Sequence, residues 1–250
     1  ALWLGENNEI TSLKKWDRRS SIATFFSNVT EAIGWIHGDG EGKTMGLAPY
    51  GDPSKAKSKL AGFYPEFAAG DLVKPYDFGT AYTWNEDGAN QYHFEDAAKL
   101  IELVQEFGRE DMAAATQEIT EEQCFKLIFP WLEELETRNL CCSGGLFLNV
   151  KLNQRIWESG KVDQQHIYPN PGDSGLAVGA ALYAWHQSNP DSTIKAPDHL
   201  YSGPEFSNAE IEEVLKLRRL KYEYHENIES VTAQELANGK IVGWFQGRME

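Results

Sequence analysis

The sequence has 250 residues, 41% of them hydrophobic and 12% aromatic, which is enough apolar material for one large or two modest globular domains. A formal net charge of -15 opposes a surface for nucleic-acid phosphates, because such a surface needs an excess of Lys and Arg. A nucleotide stays admissible, since a few backbone N–H groups, one lysine and a metal ion can hold it whatever the global charge.

Residues 2–5 and 10–13 read as two short strands around the polar turn Glu-Asn-Asn-Glu at 6–9, a hairpin in which Asn takes the turn's positive φ. Ile22, Phe25, Phe26, Val29 and Ile33 recur at helical spacing and predict a helix over 21–36, followed by a glycine-rich loop at 37–42. From 50 to 92 the text is rich in Gly, Pro and aromatics without a sustained period, which predicts turns and short strands. Phe94, Ala97, Ile101 and Val104 share a helical face that Gly108 terminates, and Met112, Thr116 and Ile119 open a second helix reaching toward Glu136. Pro130 is expected to bend or divide that helix, because it lacks an N–H and its ring crowds the preceding turn.

A strand over 139–145, a helix over 149–158, a strand over 166–168 and a helix over 175–186 follow in an order that argues for an α/β layer. After a linker-like segment near 190, Ser207 to Glu210 and Thr232 to Glu235 both carry capping-box spelling, and a domain boundary falls near 200. Residues 240–250 read as a strand in need of a partner. The chain starts without Met and stops inside that run, so it reads as part of a longer polypeptide. No apolar run approaches the roughly 18 residues of a membrane span. The three cysteines, Cys124, Cys141 and Cys142, lack metal or redox spacing and suit a reducing, cytoplasmic compartment.

Two turns stand where a strand gives way to a helix, the arrangement that offers free N–H groups to a phosphate. In the first, Gly144 and Gly145 let backbone approach a ligand, and Asn149 opens the next helix; a Gly-Gly turn also serves as a plain tight connection. In the second, Gly172 and Gly175 flank Asp173, which reads either as an N-cap or as a metal ligand. Lys43, in Gly-Asp-Gly-Glu-Gly-Lys-Thr at 38–44, is a candidate phosphate contact, although the spacing is not that of a P-loop. The six histidines form no i, i+4 pair, and no catalytic base can be assigned.

With these residues in view, Gly-Glu-Gly-Lys-Thr-Met-Gly-Leu-Ala-Pro-Tyr-Gly at 40–51 resembles the signature of the O-carbamoyltransferases of the nodulation, cephamycin and tobramycin type. Further motifs of that family match in order at 144–149, 171–181 and 243–250. The resemblance implies an α/β lobe of the actin, sugar-kinase and heat-shock ATPase kind (ribonuclease H-like), with a mixed sheet and flanking helices. Residues 1–199 would be the second lobe of this carbamoyl-transfer domain, and 200–250 a linker and the truncated start of an α+β domain that forms carbamoyl-adenylate.

The activity implied is ATP-dependent transfer of a carbamoyl group from carbamoyl phosphate, through carbamoyl-adenylate, to a hydroxyl of a small molecule, with release of AMP. Carried over, Lys43, Gly144, Gly145, Asn149, Gly172 and Gly175 would face the nucleotide, and Asp173 would bind a divalent metal, iron, zinc or manganese. The family's His-x-x-x-His pair belongs to a preceding lobe, and a Phe-Gly-Pro-Arg-Ala-Leu-Gly run would follow Glu250, so this chain alone is expected to be inert with an incomplete metal site. No nucleic acid and no membrane is expected among its partners. The alternatives are a tRNA threonylcarbamoyl transferase-like enzyme and a non-catalytic nucleotide-binding scaffold of the actin-like superfamily.

Overall fold

The computed structural model describes residues 1–6, 9–76, 83, 84, 90–92, 96–194 and 199–249. They form two compact units, Ala1–Asp191 and Ser192–Glu250. The whole is a mixed α/β protein of small sheets and many helices.

The first unit opens on the expected hairpin, β1 (Leu2–Glu6) antiparallel to β2 (Glu9–Lys14). The helix that follows, α1 (Ile22–Ile33), is capped by Ser21, whose side chain accepts from Thr24 N–H, and ends at Gly34 in the left-handed region (φ 102°). Its periodic apolar face buries Phe25, Val29 and Ile33. The glycine-rich segment is not a loop throughout: Glu41–Leu47 forms α2, despite Gly42 and Gly46. Tertiary contact outweighs glycine's poor helix propensity here, because buried Thr44 shares a 2.8 Å hydrogen bond with Thr30 of α1.

A short helix, α3 (Pro53–Ala56), precedes a hairpin of β3 (Glu66–Ala68) and β4 (Asp71–Lys74). β5 (Thr83–Trp84) pairs with β6 (Asn90–Tyr92), and α4 runs over Asp96–Phe107. Phe94, His93 and the side chain of Ala97 lie outside the described residues, as does much of the stretch between 77 and 95.

Asp71 clamps the two hairpins together. Its carboxylate accepts from the Lys14 ammonium, from the Trp16 indole N–H at 2.9 Å and from Leu72 N–H at 2.7 Å. These donors, Lys14 foremost, hold its pKa down at about 2, against an ordinary 3.8. The unfolded carboxylate takes up its proton at the higher value, so the clamp's stabilisation is complete above that pH and is lost as pH falls through about 2. A carbon-13 titration of the Asp71 carboxyl is expected to give a midpoint near the lower value; a midpoint at the ordinary one would mean that the clamp does not form.

Helix α5 (Arg109–Glu134) is continuous through Pro130, so of the bend or division expected there, the division does not occur. Proline leaves the carbonyl four residues back without its helical donor. Here Gly70, in the β3–β4 turn with φ 80°, donates its N–H to that Lys126 carbonyl at 2.9 Å, and Trp131 returns a 2.7 Å bond to the Gly70 carbonyl. The orphaned acceptor is thus satisfied from another element.

Among the described residues the core of the first unit has two clusters. Phe25, Val29 and Ile33 of α1 pack with Leu100 of α4 and with Met112, Ala115 and Ile119 of α5. Farther along α5, Cys124 and Leu132 pack with Leu152, Ile156 and Val162. The latter belong to a strand–helix–strand unit: β7 (Asn139–Cys142) lies parallel to β8 (Gln164–Ile167), joined by α6 (Val150–Glu158), with Cys141 opposite His166. A last helix, α7 (Leu176–Ser188), completes the order read from the sequence.

In the second unit α8 (Asn208–Leu217) carries the full capping box between Ser207 and Glu210. The other spelled box does not start a helix: α9 (Ile228–Ala237) begins at Asn227, whose side chain accepts from Ser230 N–H, and Thr232 lies inside it. Nor is 240–249 a strand, since no strand among the described residues of this unit offers it a partner. Ile241 is fully exposed, and Met249 exchanges backbone bonds only with Gly203 and Pro204 among the described residues.

Candidate functional site

The strand β7 ends in a turn that only glycine makes easily. Gly144 has φ 113° and ψ 153°, a region L side chains avoid. Its N–H donates to the Pro171 carbonyl at 2.7 Å, and the Ser143 hydroxyl reaches the same oxygen at 3.4 Å. The turn after β7 is therefore bonded to the turn after β8. They are close enough that a Cβ on Gly172 would stand 3.8 Å from Gly145 Cα.

A 3-10 turn over Gly145–Leu148 then leads to Asn149, which caps α6 by accepting from Leu152 N–H at 2.9 Å. A third wall comes from α1 and the start of α2. Glu41 accepts from the Ser27 hydroxyl at 2.6 Å and from Gly38 N–H at 2.9 Å, with His37 Nδ1 at 3.9 Å, and so fixes the short loop between the helices.

These elements enclose a cleft of about 640 Å³, within the size range of small-molecule sites. Phe26, Met45, Leu146 and Leu148 give it an apolar part, and Asp39, Glu41 and Asp173 give it carboxylates. No lysine or arginine lines it among the described residues. A phosphate placed here would meet neutral donors, backbone N–H groups and the Asn149 amide, or a cation brought with the ligand.

Of the residues singled out from the sequence, Gly145, Asn149, Gly172 and Asp173 line the cleft together. Three others do not. Lys43 is exposed on α2, 4.0 Å from the Asp39 carboxylate. Gly144 spends its N–H on Pro171, as described. Gly175 is a packing glycine, since a Cβ there would stand 2.1 Å from the Asn170 carbonyl oxygen.

Asp173 is not an N-cap. Gly172 holds that position without a side-chain bond, and the Asp173 carboxylate makes no hydrogen bond or ion pair among the described residues. It is exposed at the cleft and open to a ligand. Among the described residues no three His, Cys, Asp or Glu side chains gather to hold a metal ion.

Cys142 is buried directly before the Gly144 turn, and burial pushes its thiol up to about 12; burial raises Cys124 further. Both are neutral packing groups rather than nucleophiles. Sequence reasoning missed Ser27, Glu41 and Gln117, which shape the cleft from helices. Gln117 bonds Asn149 through both amide atoms, at 2.8 Å and 3.2 Å, and no local motif announces a glutamine inside an apolar helical face.

No helix among the described residues is long and apolar enough to cross a membrane. Residues 1–182 match the family model described as carbamoyltransferase N-terminus. The uncharacterized protein sll1178 of Synechocystis is 35% identical over 263 residues, covering 100% of this chain and 42% of its own length. The nodulation protein NolO of Bradyrhizobium diazoefficiens is 30% identical over 253 residues, covering 99% of this chain and 44% of its own, and the nodulation protein NolNO of Sinorhizobium fredii is 26% identical over 253 residues, covering 100% and 36%. The chain thus spans less than half the length of these relatives, and across most of its own length it belongs to the carbamoyltransferase family.

Proposed function

We propose that this chain is the nucleotide-facing part of a longer ATP-dependent O-carbamoyltransferase. The observation that carries the reading is the joining of the 144 and 172 turns at one cleft, with Asp173 unpaired at its surface, in a chain of this family. Residues 1–199 would form one lobe of an actin-like, ribonuclease H-like transfer domain, and 200–250 would begin the domain that makes carbamoyl-adenylate from carbamoyl phosphate and ATP.

In the transfer step the acceptor hydroxyl oxygen bonds to the carbamoyl carbon, and the bond from that carbon to the AMP phosphate oxygen breaks. AMP leaves as the anion and the hydroxyl proton passes to solvent. A small-molecule acceptor is favoured over tRNA, because the net charge of -15 repels a nucleic-acid backbone. The apolar part of the cleft would take the nucleoside, and the Gly145 and Gly172 backbone would approach the phosphate. A divalent ion, iron, zinc or manganese, shared between Asp173 and ligands outside this chain would supply Lewis-acid stabilisation of the carbamoyl oxygen. The proposed compartment is the cytoplasm.

Mass spectrometry of the products formed from carbamoyl phosphate, ATP and a panel of hydroxyl compounds tests the reading. The complete polypeptide is expected to release AMP and a carbamate ester, while the 250-residue chain alone gives neither. ADP with a phosphorylated product would identify a kinase instead, and full transfer by the chain alone would refute the division of labour.

A further inference from the structure

Asn149 is the cleft residue whose surroundings are most completely defined. Its side-chain Oδ1 accepts from Leu152 N–H at 2.9 Å and from Gln117 Nε2 at 3.2 Å, while its Nδ2 donates to Gln117 Oε1 at 2.8 Å. Gln117 also donates Nε2 to Glu121 Oε1 at 2.8 Å, one turn along α5, and Arg155 of α6 stands 3.7 Å from the other Glu121 oxygen. Both amides are buried.

The oxygen and nitrogen of an amide have nearly the same shape, so a reciprocal Gln–Asn pair keeps its mutual bonds when both groups are turned over. Two neighbours forbid that here. Turned over, Asn149 would set an N–H against Leu152 N–H, and Gln117 would set its carbonyl against the Glu121 carboxylate. The sense of the pair is fixed from both ends.

The donor count then has a consequence for the ligand. Gln117 Nε2 spends its hydrogens on Glu121 and Asn149. Asn149 Nδ2 spends one on Gln117 and keeps the other, on a residue that lines the cleft. We propose that Gln117 and Glu121 are positioning residues that hold Asn149 as a pure donor toward the cleft, so that the bound molecule must present an acceptor atom there. This rests on the nucleotide reading, in which the acceptor is a ribose or phosphate oxygen.

The test is AMP binding to the complete polypeptide, AMP being what the transfer step releases at this cleft, measured by calorimetry and by the side-chain amide signals of Asn149 in nitrogen-15 spectra. Asn149→Asp keeps an equally good helix cap but turns the donor into an acceptor. It is expected to weaken AMP by at least about 30-fold, since a lost bond becomes a repulsion. Gln117→Met, of similar volume, is expected to weaken AMP by about 3- to 10-fold, the worth of one hydrogen bond. In the unaltered protein AMP should shift an Asn149 amide proton, and in Gln117→Met that shift should shrink even if the melting temperature is unchanged. AMP bound equally by the unaltered protein and Asn149→Asp, or bound with the Asn149 amide unmoved, overturns the inference and leaves the nucleotide reading standing. Failure of the unaltered protein to bind AMP overturns both.

Discussion

Replacing Asp173 by Ala in the complete polypeptide is expected to lower the kcat of the proposed carbamoyl transfer by about 10²- to 10³-fold, the usual cost of removing a group that stabilises charge in the transition state. The folded protein should scarcely notice. A carboxylate serving as an N-cap would take about 1 kcal/mol of stability with it when truncated. Asp173 caps nothing and has no ion pair among the described residues, so its exposed side chain has little folding work to lose. Kinetics and thermal melting on the same variant separate the possibilities. A large loss of rate with an unchanged melting temperature supports a role at the reacting atoms. A lowered melting temperature with the rate kept would return Asp173 to the scaffold.

The second large effect is on folding and comes from Gly51, the last residue of the 40–51 motif. A Cβ at Gly51 would stand 2.0 Å from the Glu110 carbonyl oxygen and 2.6 Å from Asp111 N, at the start of α5. Both are backbone atoms of a long helix, held further by Asp52 N–H donating to the Asp111 carboxylate at 2.7 Å and by the Lys55–Asp111 ion pair at 2.8 Å. Neither side can yield cheaply. Gly51→Ala is therefore expected to cost about 3 kcal/mol, at the upper end of overpacking penalties. Gly46, five residues earlier in the same motif, sits inside α2, and a methyl group there would meet nothing within 4 Å. Gly46→Ala should be neutral or stabilise by up to about 1 kcal/mol, because alanine is the better helix former. Urea unfolding of the two variants makes the comparison. Equal midpoints would mean that the α5 contact at Gly51 is not formed.

That contrast shows what a motif can and cannot say. Gly46 and Gly51 are indistinguishable as text, and only the arrival of α5 against one of them gives it a structural reason. The strand–helix–strand unit was legible because each element has its own local signal: the short run into Gly144, the cap at Asn149 and the apolar face of α6. The meeting of the 144 and 172 turns was legible from the same unit, since parallel strands place their following turns at one edge.

Other features depended on distant partners. Pro130 looked like a helix breaker because its rescuer, Gly70, lies 60 residues away. Lys43 looked like a phosphate contact until α2 carried it to the surface. The spelling at Thr232 lost to Asn227, which starts α9 earlier. Gln117 left no trace, because its role depends on Asn149, which is 32 positions away in sequence.

The most direct measurement is a crystal structure of the complete polypeptide with a non-hydrolysable carbamoyl-adenylate analogue. The prediction is that the analogue lies in the cleft between α1, the 144 turn and the 172 turn, with Asn149 Nδ2 donating to it and its acyl phosphate beside Asp173. An analogue bound elsewhere, with this cleft left to solvent, would contradict the account.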